Sequence, residues 1–171
     1  MRCVAVVPEF FGTEDYILKT YIENGLDVYP FVKRIGFSNP FLLIKSGLGF
    51  NMDNDLEKYW VNLSNYIEDY CNKVKPDLII VTQGMQLLPD AVKRLKKSCV
   101  TVLRMSDRIS LFPQLEERLK YYDFVYSYSK EEVDYINSKG YEACFYPGGF
   151  DSDTYYPIDD MSKDIDICFV G

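Results

Sequence analysis

The chain has 171 residues, of which 47% are apolar and 26% charged, a balance typical of a globular domain with a substantial core. Its net charge of −7 argues against general binding to nucleic acids or anionic membranes, since both need a basic surface. No histidine is present, so the commonest general base and metal ligand is missing and acid–base chemistry falls to Asp, Glu, Lys, Tyr or Cys.

The cysteines and the N-terminus both indicate a reducing compartment. Five cysteines, an odd number without a CxxC pair, predict buried thiols instead of disulfides. The opening MRCVAVVPEF is too short an apolar run for a signal peptide, and no stretch reaches the ~18 apolar residues of a membrane span. We therefore expect a cytoplasmic protein without a membrane span.

The first elements follow the pattern of a parallel α/β sheet. Residues 3–7, CVAVV, form a continuous apolar run that predicts a strand buried on both faces. Thr13 is expected to cap the helix that follows, and Gly25 to end it. A second strand is predicted over 26–32. Residues 33–53 mix turn-forming and apolar residues, which predicts a structured loop that either packs on the domain or is available to bind a ligand.

Helices and strands continue to alternate up to residue 147. Because this alternation implies right-handed crossovers, we predict a Rossmann-like three-layer α/β/α domain with a parallel sheet of about six strands, covered on both faces. Ser129 begins an S-x-x-E capping box. The remaining helices are predicted over 56–74, 86–97, 111–119 and 129–139, and the remaining strands over 76–82, 99–105, 123–129 and 143–147.

Ligands bind beyond the carboxyl ends of the strands in an open α/β sheet, and this rule selects a candidate site. We predict two catalytic carboxylates there, Asp107 and Glu9, and no metal site. Binding residues are predicted at the same strand ends: Phe11, Gly12, Gln83, Gly84, Arg108, Ser127, Gly148, Gly149 and Asp151.

Each of these positions also has a structural interpretation. Gly12 either makes a turn or directs a backbone amide at a ligand oxygen, and Gln83 begins a turn. Asp107 either caps the next helix, with Arg108 neutralising it, or binds polyol hydroxyls and orients a nucleophile. Glu9 is a base or a surface acid. The sequence contains neither a Walker loop nor a GxGxxG fingerprint.

The last third of the chain resembles a known family. Residues 121–159, YYDFVYSYSKEEVDYINSKGYEACFYPGGFDSDTYYPID, resemble the end of the N-terminal domain of GT-B-fold glycosyltransferases and are similar to the spore maturation protein CgeB group. The shared pattern is a strand ending in Ser, a helix ending in Gly, a strand ending in Pro-x-Gly, then an Asp and an aromatic-Pro linker. KPDLIIVTQGMQLLP and VTVLRMSD occupy the preceding positions in the same order, so the likeness in order covers most of residues 1–159.

The resemblance implies two Rossmann-like domains that face each other across a cleft. Residues 1–150 would form the acceptor-side domain, 151–163 a linker, and 164–171, DIDICFVG, the first strand of a donor-side domain that the chain lacks. Many retaining members carry His-Asp after the fourth strand, whereas this sequence has Ser106-Asp107. A catalytic histidine therefore cannot be carried over.

The function that the resemblance implies is sugar transfer by the full-length protein from a nucleotide-sugar donor to an unknown hydroxyl of a small-molecule or glycan acceptor. No cofactor is expected in this segment, and the segment alone is not expected to turn over substrate. Two alternatives stay open. One is a nucleotide-sugar epimerase of the same fold, and the other is a non-catalytic, flavodoxin-like ligand-binding or interaction module.

Overall fold

The computed structural model describes residues 1–9, 12–33, 53–111, 113–149, 152, 153 and 156. Across these residues strands and helices alternate. The strands are β1 (Arg2–Pro8), β2 (Asp27–Lys33), β3 (Leu78–Thr82), β4 (Val100–Met105), β5 (Phe124–Ser127) and β6 (Cys144–Phe145). The helices are α1 (Thr13–Glu23), α2 (Asp53–Val74), α3 (Pro89–Leu95), α4 (Glu116–Leu119) and α5 (Lys130–Ser138), with 3₁₀ turns at Ile109–Leu111 and Pro113–Leu115.

The strands form one six-stranded sheet in the order β2-β1-β3-β4-β5-β6, and every neighbouring pair is parallel. The Rossmann-like α/β/α architecture predicted from the alternation is therefore confirmed. In this order β2 lies on one side of β1, and β3 to β6 follow one another on its other side. Such a reversal opens a crevice between β1 and β3 at the carboxyl edge, which is where ligands bind in sheets of this kind.

The two faces of the sheet are covered unequally by the described residues. Inward-facing side chains of β1, β3, β4 and β5 pack against α2, α3 and α5 in the larger cluster, while α1 covers a smaller cluster of Cys3, Leu78 and Ile80. The connection from β1 to β2 runs across the sheet in the direction opposite to the later connections. Because all crossovers are right-handed, its helix α1 lies on the face opposite to α2, α3 and α5. Beyond α1, Val100 and Phe124 are 42% and 51% exposed.

The structure bears on two predictions about the residues that cap helices. Ser129 caps α5 as predicted, because its Oγ accepts a hydrogen bond of 3.3 Å from the Glu132 amide. The expected Thr13 cap is wrong: Gly12 holds the cap position with φ +78°, and Thr13 is the first helical residue. Glycine adopts this left-handed conformation without a side-chain clash, so the chain turns directly from the β1 end into α1.

The predicted helix through 111–119 is also wrong. Two 3₁₀ turns and the single turn of α4 replace it. Pro113 explains the difference, because proline lacks an amide hydrogen and its ring clashes with the carbonyl four residues earlier in a continuous helix. Ile109, Leu115 and Leu119 are nevertheless buried, so the apolar spacing is satisfied without a regular helix.

Several predictions fall outside the described residues. They concern the apolar excursion between 34 and 52, Phe11, Phe112, the linker with Asp151, and the strand over 164–171.

The cysteine prediction holds for three thiols and fails for one. Cys3, Cys71 and Cys99 are buried and unpaired, whereas Cys144 is exposed at the sheet edge. Burial raises the pKa of Cys3 to about 11 and that of Cys71 to about 12. Because the thiolate is the reactive form, these two thiols are inert packing groups at neutral pH.

A carboxylate ties the start of β5 to β4. Asp123 accepts hydrogen bonds of 2.9 Å from both the amide and the hydroxyl of Thr101, and Lys96 Nζ lies 2.8 Å from its other oxygen. Burial alone raises the pKa of Asp123, but the hydrogen bonds from Lys96 and Thr101 outweigh it and hold that pKa below its ordinary value.

Replacing Asp123 with Asn is expected to flatten the acid dependence of stability. A carboxyl whose pKa is lower in the folded state stabilises the fold above its unfolded pKa of about 3.9, and this contribution is lost as pH falls through the folded pKa. Urea denaturation should show a smaller drop in unfolding free energy for Asp123→Asn than for the wild type between about pH 6 and pH 3. Asp134→Asn, at an exposed position on α5, is the control and should follow the wild type. Equal slopes for Asp123→Asn and wild type would contradict the assignment.

Candidate functional site

The crevice at the strand reversal is bounded by the ends of β1 and β3. Glu9 follows β1 and is exposed, and Gly12 is half-buried at the start of α1. A Cβ added to Gly12 would meet no atom of the described residues within 4 Å. Glu9 and Gly12 therefore lie where the sequence placed them, at the edge of the crevice.

The turn after β3 has an unusual backbone. Gln83 and Gly84 are consecutive residues with φ +71° and +85°. A glutamine in this region is strained by roughly 1–3 kcal/mol, and strained non-glycine residues cluster at functional sites. The backbone N–H of Gln83 donates a 3.0 Å hydrogen bond to the backbone carbonyl of Arg104, which fixes the turn to the end of β4.

The strained turn presents an amide to a carboxylate. Gln83 Nε2 donates a 3.0 Å hydrogen bond to Asp107 Oδ2, and both residues are half-buried. This contact joins the β3 turn to the β4 turn, because Thr82 and Arg104 are register partners in the sheet. An ionised carboxylate has several acceptor sites, so Asp107 held by one amide can still accept a proton or a hydroxyl hydrogen bond.

Arg118 contacts the same turn through its guanidinium, a role that sequence reasoning missed. Its NH1 group donates to the carbonyl oxygens of Gly84, Met85 and Leu87, at 3.4, 3.2 and 3.2 Å. Burial lowers the pKa of Arg118, since desolvation disfavours the charged form. The guanidinium thus satisfies carbonyls that lie in a turn and have no strand or helix partner to bind.

Arg118→Met is expected to lower the free energy of unfolding by about 2 kcal/mol, because the turn carbonyls lose their donor while most of the side-chain packing remains. Arg94→Met is the matched control. Arg94 is exposed and pairs with both carboxylate oxygens of Glu68, so its loss breaks one ion pair but leaves no turn carbonyl without a donor, and a smaller loss of stability is expected. Urea denaturation measures both variants. Similar losses for the two would show that Arg118 acts as an ordinary surface arginine.

Arg108 lines a hollow to which Asp107, among the described residues, does not contribute. Arg108 is exposed, and it lines this hollow of about 500 Å³ in front of α5 together with Ser129, Glu131 and Glu132. A hydrogen bond from Ser129, helped by the positive charge of Arg108, lowers the pKa of Glu131. Among the described residues no ion pair joins Arg108 to Asp107, so the predicted neutralisation of one by the other has no contact to carry it.

Ser127 lies beneath the surface. It is fully buried, and its Oγ accepts a 3.4 Å hydrogen bond from the Ser129 amide. The hydroxyl therefore shapes the turn between β5 and α5, and no substrate reaches it in this conformation.

The segment after β6 turns back toward α1. Gly148 and Gly149 are exposed, and Gly149 lines a groove of about 680 Å³ beside α1. We name it the α1 groove. The described residues that line it are Thr13, Tyr16, Ile17, Lys19, Thr20, Tyr21, Glu23, Arg104, Tyr146, Pro147, Gly149, Ser152 and Asp153.

Buried polar atoms collect beneath the strand ends. Thr82 Oγ1, Gln86 Oε1 and Ser106 Oγ are buried and have no hydrogen-bond partner among the described residues. Gln86 does use its amide nitrogen, which donates 2.8 Å to the Thr82 carbonyl. Unpaired buried polar atoms are uncommon in native proteins and mark positions where a water or a ligand atom fits.

Two further searches concern metals and membranes. Within the described ranges, no three His, Cys, Asp or Glu side chains come together in a way that could hold a metal ion. No described helix combines the length and the apolar character needed to cross a bilayer.

Sequence comparison gives no family. No protein-family model matches the chain. No curated protein matches it significantly in sequence either.

Two solved structures share the fold. The chain superposes on the UDP-GlcNAc 2-epimerase from Methanocaldococcus jannaschii with a TM-score of 0.54 and 11% identity, over 82% of this chain and 43% of that one. It superposes on the S. aureus MnaA–UDP complex with a TM-score of 0.52 and 16% identity, over 81% of this chain and 40% of that one. At these identities the likeness establishes the fold alone. The likeness does not single out the CgeB group, and the chain spans less than half the length of either protein.

Proposed function

We propose that this chain is the acceptor-side half of a nucleotide-sugar-dependent enzyme whose catalytic carboxylate is Asp107. The observation that carries the proposal is the Gln83–Asp107 hydrogen bond beside the strand reversal, where a strained turn holds a carboxylate at the carboxyl edge. The shared fold supports it, because one neighbour is named a UDP-GlcNAc 2-epimerase and the other was solved with UDP.

Sugar transfer is the reaction that we assign first. The acceptor hydroxyl oxygen bonds to the anomeric carbon, the bond from that carbon to the diphosphate oxygen breaks, and the hydroxyl proton passes to the Asp107 carboxylate. A positioned general base contributes about 10²–10⁴-fold to such a step. The nucleotide-sugar is held by a second Rossmann-like domain, and its diphosphate leaves with the bonding electrons.

Other predicted residues keep supporting roles in this proposal. Glu9 is the second candidate base, and Gly12, Gln83 and Gly148 border the acceptor, whereas Gly149 lines the α1 groove. Gly84 shapes the turn. Asp151 and Phe11 stay predictions, since both lie outside the described residues.

Epimerisation is the second candidate, because a shared fold with a protein named as a UDP-GlcNAc 2-epimerase specifically favours it. Inverting a sugar carbon by proton exchange requires a group that removes the proton, while the electron pair of the broken C–H bond expels the diphosphate from the adjacent anomeric carbon. A second group then returns a proton to the opposite face as the diphosphate adds back. Asp107 would serve as one of these groups, so the two candidates use the same residue and differ in product.

The test is turnover by the full-length polypeptide that contains residues 1–171. It is incubated in D₂O with UDP-, GDP- and TDP-sugars, with and without a mixture of glycan acceptors, and products are followed by NMR and mass spectrometry. A transferase releases nucleoside diphosphate in proportion to a new glycoside. An epimerase yields a new nucleotide-sugar that carries deuterium at the inverted carbon. No turnover and no thermal shift across the panel would overturn both assignments and favour a non-catalytic binding module.

A further inference from the structure

The α1 groove contains an arginine held in a fixed position. Arg104 projects from β4 on the face that α1 covers, and its Cζ lies 5.0 Å from the centre of the Tyr146 ring. The Tyr146 hydroxyl donates a 3.0 Å hydrogen bond to the Met105 carbonyl, which fixes the ring. Stacking on an immobilised ring leaves the edge of the guanidinium, with its N–H donors, free to face the groove.

In the part of the chain that the structure describes, the positive charge of Arg104 has no acidic partner. Arg104 is half-buried, and no carboxylate among the described residues forms an ion pair with it. Of the other charged side chains that line the groove, Lys19 pairs with Asp153 and lies 3.9 Å from Glu23, so neither carboxylate is paired with Arg104 among the described residues. A partly desolvated guanidinium without a counter-ion is unfavourable, and a bound anion would remove that cost.

The groove also offers a neutral donor and enough room. Tyr21 lines it, and burial raises the pKa of this tyrosine to about 12, so its hydroxyl stays protonated at neutral pH. The groove volume of about 680 Å³ lies within the roughly 300–1,000 Å³ of small-molecule sites.

We propose that the α1 groove is an anion site in which Arg104 binds a phosphate group of a small molecule. The planar guanidinium donates two parallel hydrogen bonds to phosphate oxygens, a geometry that lysine does not provide. The site lies on the α1 face of the sheet and does not involve the Gln83–Asp107 pair. It stands independently of the proposed reaction, because binding is measured without turnover.

Calorimetric titration of the 171-residue chain with inorganic phosphate, pyrophosphate and UDP at low ionic strength tests the site. Saturable binding of at least one probe is expected, and Arg104→Gln should weaken it tenfold or more. The control is Arg94→Gln, which removes an arginine that pairs with Glu68 away from the groove and should bind as the wild type does. Tighter binding of UDP than of phosphate would identify a nucleotide diphosphate as the ligand. Tighter binding of phosphate than of UDP would identify a phosphate monoester. Either order supports the anion site.

Arg104→Lys keeps the experiment decisive if the glutamine variant does not fold. The lysine variant retains the charge but cannot form the two-pronged contact, so its affinity should fall several-fold at an unchanged melting temperature. Tyr146→Leu should also weaken binding, because it removes the ring that orients Arg104. Unchanged affinity in Arg104→Gln or Arg104→Lys, or the absence of saturable binding by all three probes, would overturn the proposal.

Discussion

Asn in place of Asp107 should reduce turnover of the full-length protein by about 100-fold or more. The amide that replaces the carboxylate cannot accept a proton, although it fills the same space and can still accept the 3.0 Å hydrogen bond from Gln83. The turn should therefore stay folded while the chemical step is lost. The steady-state rate with the preferred nucleotide-sugar should fall mainly in kcat, with little change in the melting temperature.

The control for Asp107→Asn is Asp134→Asn, which makes the same chemical change at an exposed position on α5. It should retain wild-type kcat and KM. A second comparison is Glu9→Gln, because Glu9 is the other carboxylate predicted at the crevice. Full activity in Asp107→Asn together with a large loss in Glu9→Gln would reassign the base to Glu9, and full activity in both would show that neither carboxylate is catalytic.

Gly84→Ala should destabilise the fold by about 3 kcal/mol, which corresponds to a fall of about 10 °C in melting temperature for a chain of this length. A Cβ at position 84 would lie 2.6 Å from Leu103 Cδ1 and 3.2 Å from Leu115 Cδ2. Leu103 is completely buried in the larger cluster, so its methyl group has no free space to enter. The positive φ of +85° adds backbone strain for any residue with a Cβ.

Gly140→Ala separates these two contributions. Gly140 has φ +84°, almost the same as Gly84, but a Cβ there would meet no atom within 4 Å. Gly140→Ala should lower the free energy of unfolding only by the backbone strain, about 1 kcal/mol. Calorimetric unfolding of both variants gives the difference, which measures the steric part. Equal losses would show that Leu103 and Leu115 yield easily and that the turn is less tightly packed than the distances indicate.

The sheet could be predicted because parallel strands buried on both faces are nearly continuous apolar runs, as in CVAVV and LIIV. The helix through 111–119 could not, because its apolar residues keep a helical spacing that 3₁₀ turns also satisfy. Pro113 was the signal against a continuous helix, since a proline at that position cannot extend the preceding turn.

The site was only partly accessible from the sequence. Gln83 and Asp107 were each predicted from their positions after strands, but their contact depends on the register that places Thr82 beside Arg104. Arg118 gave no signal, because an arginine in a short amphipathic segment is usually a solvated side chain. Arg104 had a weak signal: it is the charged member of VTVLRM, at a position that alternation assigns to the same face as Val100 and Val102.

Whether Asp107 is the catalytic carboxylate is tested most directly by the structure of the full-length protein with its nucleotide-sugar and an acceptor or acceptor analogue. We expect the reacting hydroxyl, or the sugar carbon that is inverted, within hydrogen-bond reach of the Asp107 carboxylate, about 2.6–3.2 Å between heavy atoms or through one water. A substrate bound elsewhere, with Asp107 still engaged by Gln83 and distant from every reacting atom, would contradict it.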